Sequence, residues 1–150
     1  SVSIGIACYP EDSADVSSLL KHADIALYES KNRGRRCYSF FSSELDDKNK
    51  RKIELESEVR NALANNELFM VYQTKNKISS GEVYGFEALM RWESPRLGVV
   101  SPEEFISAAE EIGVLDKLGE FVLYEACRDL QKFQYLGSQP LAMAVNVSMY

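Results

Sequence analysis

The chain has 150 residues, 45% of them hydrophobic, with 17 basic and 23 acidic side chains and a formal net charge of -6. This is an ordinary globular composition, long enough for one sizeable core or two partial ones, and it excludes a disordered chain. The acidic balance excludes a broad basic surface for a nucleic acid polymer or anionic lipid, so any phosphate chemistry has to be local.

Residues 1–7 alternate and are rich in β-branched side chains up to Pro10, which predicts a strand. In "EDSADVSSLLKHADIALYESKNRG", Val16, Leu19, Leu20, Ala23 and Leu27 fall at helical spacing and Gly34 supplies a stop. "RRCYSFF" then reads as a second strand, so residues 1–41 have the order of an α/β or α+β unit. From Ser42 the composition changes to "SSELDDKNKRKIELESEVR", dense in both charge signs. Leu55, Val59, Ala62 and Leu63 still recur at helical intervals, which predicts an amphipathic helical linker over 42–65. Its narrow apolar stripe calls for a partner surface, and we expect Leu55 and Val59 to dimerise or transmit.

"ELFMVYQTKNKI" and "VYGFEALMRW" are two strands joined by the turn "SSGE", a hairpin. "SPEEFISAAEEIG" carries Ser101 as N-cap, Pro102 at the first helical position, Glu104 three after the cap and Gly113 as a stop. "DKLGEFVLYEACRDLQKFQYLG" is a further helix and "LAMAVNVS" a third strand, whose return past two helices implies a parallel pairing.

Side chains alternate along a strand. Gly85, Glu87, Leu89 and Arg91 therefore share one face, and Tyr84, Phe86, Ala88, Met90 and Trp92 share the other, which is built to lie under helices. In the last strand Leu141, Met143, Val145 and Val147 form an apolar face, with Ala142, Ala144, Asn146 and Ser148 opposite. Gln73 sits between apolar residues of the first hairpin strand. Two readings stay open for these polar groups: a Glu87 to Arg91 ion pair with the amides satisfied by backbone, or a site in which Glu87 and Asn146 offer oxygens to Mg²⁺ or Mn²⁺ while Arg91 takes a phosphate.

The stretch from "YQTKNKISSGEVYGFEALMRW" through "SPEEFISAAEEIG" to "LAMAVNVS" resembles the N-terminal part of an EAL domain, a cyclic di-GMP phosphodiesterase. Glu87-Ala88-Leu89, Arg91-Trp92 and Asn146-Val147-Ser148 carry the likeness. "SVSIGIACYPED" and "ADIALYESKNRGRRCYSFF" resemble the C-terminal end of a GGDEF diguanylate cyclase domain. The resemblance implies an α/β protein: the tail of a cyclase-type sandwich over 1–41, a helical linker over 42–65, and the first part of a TIM-like EAL barrel over 66–150.

It also implies roles. Glu87 and Asn146 would hold catalytic metal, Mg²⁺ or Mn²⁺, with Glu87 the catalytic residue. Gln73, Leu89 and Arg91 would contact cyclic di-GMP, and Lys31 and Arg35 would approach the phosphates of GTP in the cyclase part. The complete protein would hydrolyse cyclic di-GMP to pGpG; a non-catalytic receptor of the same nucleotide, or a signalling scaffold, is the alternative. Thr74, Ser94 and Arg36 depart from the family's usual Pro, His and Asn without removing a ligand.

Cys8, Cys37 and Cys127 are widely spaced and outside any CxxC pair, which fits a reducing, cytoplasmic compartment. The absence of Met at position 1 and the stop in "AVNVSMY" read as a piece of a longer protein, expected to be a homodimer, with a membrane tether upstream left open. His22 is assigned to the surface. Arg33 and Arg36 read as a helix C-terminal cap. Tyr84, Phe86, Trp92, Phe121 and Tyr124 read as core aromatics.

Overall fold

The computed structural model describes residues 1–136 and 140–147. Gly137 and Ser148, assigned above to a helix end and a strand face, lie outside them. The chain divides into two compact units, Ser1–Glu54 and Leu55–Tyr150.

In the first unit, β1 (Ile4–Ile6) and β2 (Tyr38–Phe40) pair in parallel, with Gly5 opposite Ser39, and α1 (Val16–Asn32) is the crossover. Asp15 caps α1 by accepting from the Ser18 N–H at 2.8 Å. Gly5 is required where it stands: a Cβ there would overlap the Ala23 carbonyl oxygen and the Leu27 amide of the helix lying on it. The contact is sealed by Ser30, fully buried, whose hydroxyl donates to the Ile4 carbonyl at 2.8 Å and lies 2.9 Å from the Ser39 hydroxyl.

The helical spacing of α1 is as expected, but its inward face is Ile25, Ala26 and Ser30, while Val16 and Leu20 are exposed. Apolar spacing marks a helix without fixing which edge of the stripe meets the sheet. His22, assigned to the surface, is half-buried. Its ring stacks on Phe41 at 3.8 Å, and the buried Nδ1 has no hydrogen-bond partner.

α2 (Ser43–Ala62) contributes to both units. In the second unit, β3 (Leu68–Asn76) and β4 (Val83–Ser94) form the expected antiparallel hairpin. On the other edge of β4, β6 (Ala142–Val145) pairs in parallel with Gly85–Ala88, and β5 (Gly98–Val100) pairs antiparallel with Trp92–Ser94. β5 is an element the sequence did not signal, because three residues are too few to establish a period of two. Gly85 admits β6, since a Cβ there would come within 2.5 Å of the Ala142 carbonyl oxygen.

α3 (Pro102–Glu111) starts with the predicted capping box between Ser101 and Glu104, and Gly113 follows at φ +69. α3 and α4 (Leu115–Leu136) cover the helix-facing side of the sheet. The core unites Trp92, Val100, Phe105, Ala108 and Leu118 with Leu55, Val59 and Ala62 of α2. Trp92 meets Phe105 edge to face at 5.9 Å and donates from Nε1 to Glu67 at 2.9 Å.

The α2 stripe therefore does not await a second chain. Leu55 is 4% and Val59 1% exposed, covered by this unit's own aromatics. Among the expected core aromatics, Tyr84 and Tyr124 are exposed. Tyr124 lies between the buried Val122 and Ala126 in sequence, which turns it to the opposite side of α4.

β3 is fastened to α4 by Tyr72. Its ring meets Phe133 edge to face at 5.1 Å, and its hydroxyl donates to the Asp129 carboxylate at 2.6 Å. The Asp129 carboxyl is held down to about 2, first by Lys132, then by Tyr72 and Arg128. Burial, then the Asp129 carboxylate, raises the Tyr72 phenol above its ordinary value. Lys132 and Arg128 are largely exposed, so solvent screens their share and the half-buried Tyr72 bond carries more of the stability.

Replacing Leu55 and Val59 together by Ser is expected to destabilise the second unit by about 4 kcal/mol or more, as large-to-small core changes do. Urea unfolding reads this; an unchanged midpoint with lost self-association would restore the dimerising stripe. The depressed Asp129 carboxyl stabilises the fold above its unfolded value of about 3.9, and that contribution is lost as pH falls through about 2. Asp129→Asn is therefore expected to flatten the loss of stability between about pH 4 and about pH 2 relative to the native chain. Equal slopes would mean that the clasp contributes nothing to acid sensitivity.

Candidate functional site

The antiparallel register sets the site. Gln73 stands opposite Glu87, Val71 opposite Leu89, and Phe69 opposite Arg91. Because side chains alternate, all six project from the face of the sheet turned away from α3 and α4, while Ala88 and Trp92 are buried on the helix side. In β6, Ala144 is the partner of Glu87, and Asn146 follows two residues later on the same side.

The predicted residues meet. Asn146 Nδ2 donates to Glu87 Oε1 at 2.9 Å across 59 positions of sequence. Among the described residues no ion pair joins Glu87 to Arg91; the Arg91 guanidinium donates instead to the Met90 carbonyl at 2.8 Å. The structural reading of Glu87, an ion pair with Arg91, is thus set aside by the geometry. Gln73 and Leu89 flank the Glu87–Asn146 pair, as expected from strand alternation.

Glu87 and Asn146 bring a carboxylate and a carboxamide together with no protein cation paired to the carboxylate among the described residues. Both are hard oxygen donors of the kind that Mg²⁺ and Mn²⁺ accept. Two donors start such a site without completing it, and among the described residues no group of three or more His, Cys, Asp or Glu could hold a metal ion. The donor set fits the group chemically and is partial.

On the helix side, a groove of about 270 Å³ opens between Met90, Val145, Ile106, Leu118 and Val122. Its lining is mostly apolar, with Asp116 and Asn146 as polar members, so Asn146 borders this groove as well as meeting Glu87.

Lys31 and Arg35 lie in the first unit. Lys31 is in the last turn of α1, and Arg35 follows in the left-handed region at φ +64, with Gly34 at +97 and Arg36 at +55. Two consecutive non-glycine residues in that region are costly, roughly 1–3 kcal/mol each, and such strain clusters at functional segments. The Arg35 N–H donates to the Ser30 carbonyl at 3.2 Å, which anchors the turn to the buried end of the helix.

Sequence reasoning missed Phe69 and Lys75, which share the Glu87 face through the register of β3 with β4. The signal was available: both are an even number of residues from Gln73.

The family models that match are "EAL domain" over residues 56–149 and "Diguanylate cyclase, GGDEF domain" over residues 1–37. The cyclic di-GMP phosphodiesterase NbdA of Pseudomonas aeruginosa is 40% identical over 96% of this chain and 18% of its own length. The bifunctional diguanylate cyclase/cyclic di-GMP phosphodiesterase MucR of the same species is 38% identical over 99% of this chain and 22% of its own. The chain thus spans about a fifth of the length of these curated relatives. The solved PaMucR phosphodiesterase in complex with c-di-GMP superposes with a TM-score of 0.60 at 38% identity, over 63% of this chain and 38% of that one. With a GGDEF fragment ahead of an EAL match that takes in the Glu87–Asn146 pair and most of its length, the chain belongs to the EAL domain family.

Proposed function

We propose that the complete protein carrying this chain hydrolyses cyclic di-GMP to pGpG, with the Glu87 face of the sheet as part of its active site. The observation that carries the reading is the 2.9 Å contact between Asn146 and Glu87, made on the same face as Gln73, Leu89 and Arg91. The phosphodiesterase relatives and the c-di-GMP complex supply the substrate class.

In this reading Glu87 and Asn146 hold the cation, Mg²⁺ or Mn²⁺. When bound, a divalent cation polarises the phosphodiester and lowers the pKa of water. Arg91 leaves the Met90 carbonyl and engages a phosphate through its planar fork. Gln73 hydrogen-bonds the substrate beside Glu87, and Leu89 gives it an apolar wall that excludes water. Residues 1–41 belong to the cyclase part and 66–150 to the EAL barrel, joined by 42–65, whose second half packs into the core of the second unit, and Lys31 and Arg35 serve GTP in the cyclase part.

No helix of the described residues is long and apolar enough to cross a membrane. A cytoplasmic setting remains our proposal. Dimerisation of the complete protein would have to use a surface other than Leu55 and Val59, which the core occupies.

The 150-residue chain alone is expected to give no pGpG, because an α/β barrel takes about 250 residues to close. Its production by the purified chain would overturn that reading. In the complete protein, Glu87→Gln keeps side-chain volume and removes the charge a cation needs. It should melt near the wild-type midpoint without metal, gain nothing from Mn²⁺, and lose turnover. A variant that melts far lower yet still gains stability from Mn²⁺ returns Glu87 to a structural role. A wild type that binds cyclic di-GMP without cleaving it points to the receptor alternative.

A further inference from the structure

Phe69 is the one aromatic of β3 on the Glu87 face, and its cross-strand partner is Arg91. Directly opposite residues of an antiparallel pair hold their Cβ atoms about 4.5–5.5 Å apart on the same side. The ring therefore stands beside Arg91, at the end of the face beyond Leu89. Leu68, one position earlier, is 6% exposed on the helix side, which places Phe69 on the opposite, Glu87-bearing face. The ring contacts among the described residues join other pairs, so this ring has no aromatic partner.

Cyclic di-GMP presents two planar purines as well as two phosphodiesters. Glu87, Asn146, Arg91 and Gln73 answer its polar groups, and Leu89 and Val71 offer only aliphatic surface. Aromatic rings are the usual platforms for unstacked bases, because every base has a π-face to lay against them. Placing such a ring next to the phosphate-orienting arginine matches the chemistry of a nucleotide, in which base and phosphate are neighbours.

We propose that Phe69 stacks on one guanine of the substrate and sets its affinity; this rests on the reading of the site as one for cyclic di-GMP. The contact is a binding contact and takes no part in proton transfer. It favours a purine over a base-free phosphodiester without choosing between purines, since stacking is tolerant of base identity.

The test uses the complete protein, with the dissociation constant for cyclic di-GMP measured by calorimetry in EDTA so that metal-dependent hydrolysis is halted. Phe69→Ala and Phe69→Leu are expected to weaken binding about tenfold, in line with the loss of one base–aromatic stack. Phe69→Tyr should stay within about twofold of wild type, since its ring stacks equally well. Leu keeps the apolar bulk, so its thermal midpoint should match wild type while its affinity falls with Ala. If Phe69→Leu binds as wild type, or Phe69→Tyr fails as badly as Ala, the ring is packing and the proposal falls while the phosphodiesterase reading stands. A wild-type protein that binds no cyclic di-GMP removes that reading and this proposal together.

Discussion

Along β4 the side chains must alternate without a slip from Gly85 to Trp92, because each residue on one face fixes its neighbour on the other. Trp92 and Ala88 are drawn to the helix side by burial, Trp92 with no exposed surface and Ala88 with 3%. Full burial of a large apolar side chain contributes roughly 1.5–3 kcal/mol. A shift of one residue would bury Glu87 and Arg91 and expose the tryptophan. β3 clamps this register from Leu68 to Lys75, β6 and β5 hold the opposite edge, and the bond from Trp92 to Glu67 ties down the end. The polar face is thus oriented by the apolar one.

The same dependence explains which parts of the molecule the sequence disclosed. Period-2 alternation, helical spacing and the Ser101 capping box marked the hairpin, both covering helices and β6, because each of these signals is local. What escaped depended on partners far along the chain. The α2 stripe looked like a surface awaiting another molecule, yet it packs on Trp92 and Phe105, 37 and 50 positions beyond Leu55. A periodic stripe says that something covers it, not what. Tyr124 was assigned to the core by its chemistry and helix rotation turns it out, while His22, assigned to the surface, is half-buried with its ring on Phe41.

The candidate site was legible in its faces and not in its contacts. Alternation put Glu87, Leu89 and Arg91 on one face of β4 and Asn146 on the polar face of the last strand, and the family resemblance then favoured the metal reading and added roles for Gln73 and Leu89. The Tyr72–Asp129 clasp, spanning 57 positions, had no local signature, although it holds the strand that carries Gln73 against α4. Phe69 escaped because phenylalanine in a strand reads as core by default. Its place beside Arg91 is set by the register of β3 with β4, which no local stretch of sequence shows.

The choice of partner for Glu87 follows from strand geometry. A spacing of four brings side chains together on a helix, where the Cβ atoms lie about 5–6 Å apart. On a strand rising about 3.3 Å per residue, the same spacing separates Cα atoms by about 13 Å. Glu87 and Arg91 are therefore far apart for a direct pair, and the guanidinium settles on the adjacent Met90 carbonyl. The neighbour within reach is across the sheet, on β6, where Asn146 offers a neutral amide. A neutral donor stabilises the carboxylate without cancelling its charge. Glu87 thus keeps its full attraction for a cation, and Arg91 keeps its own for an anion, separated along one strand by the apolar Leu89.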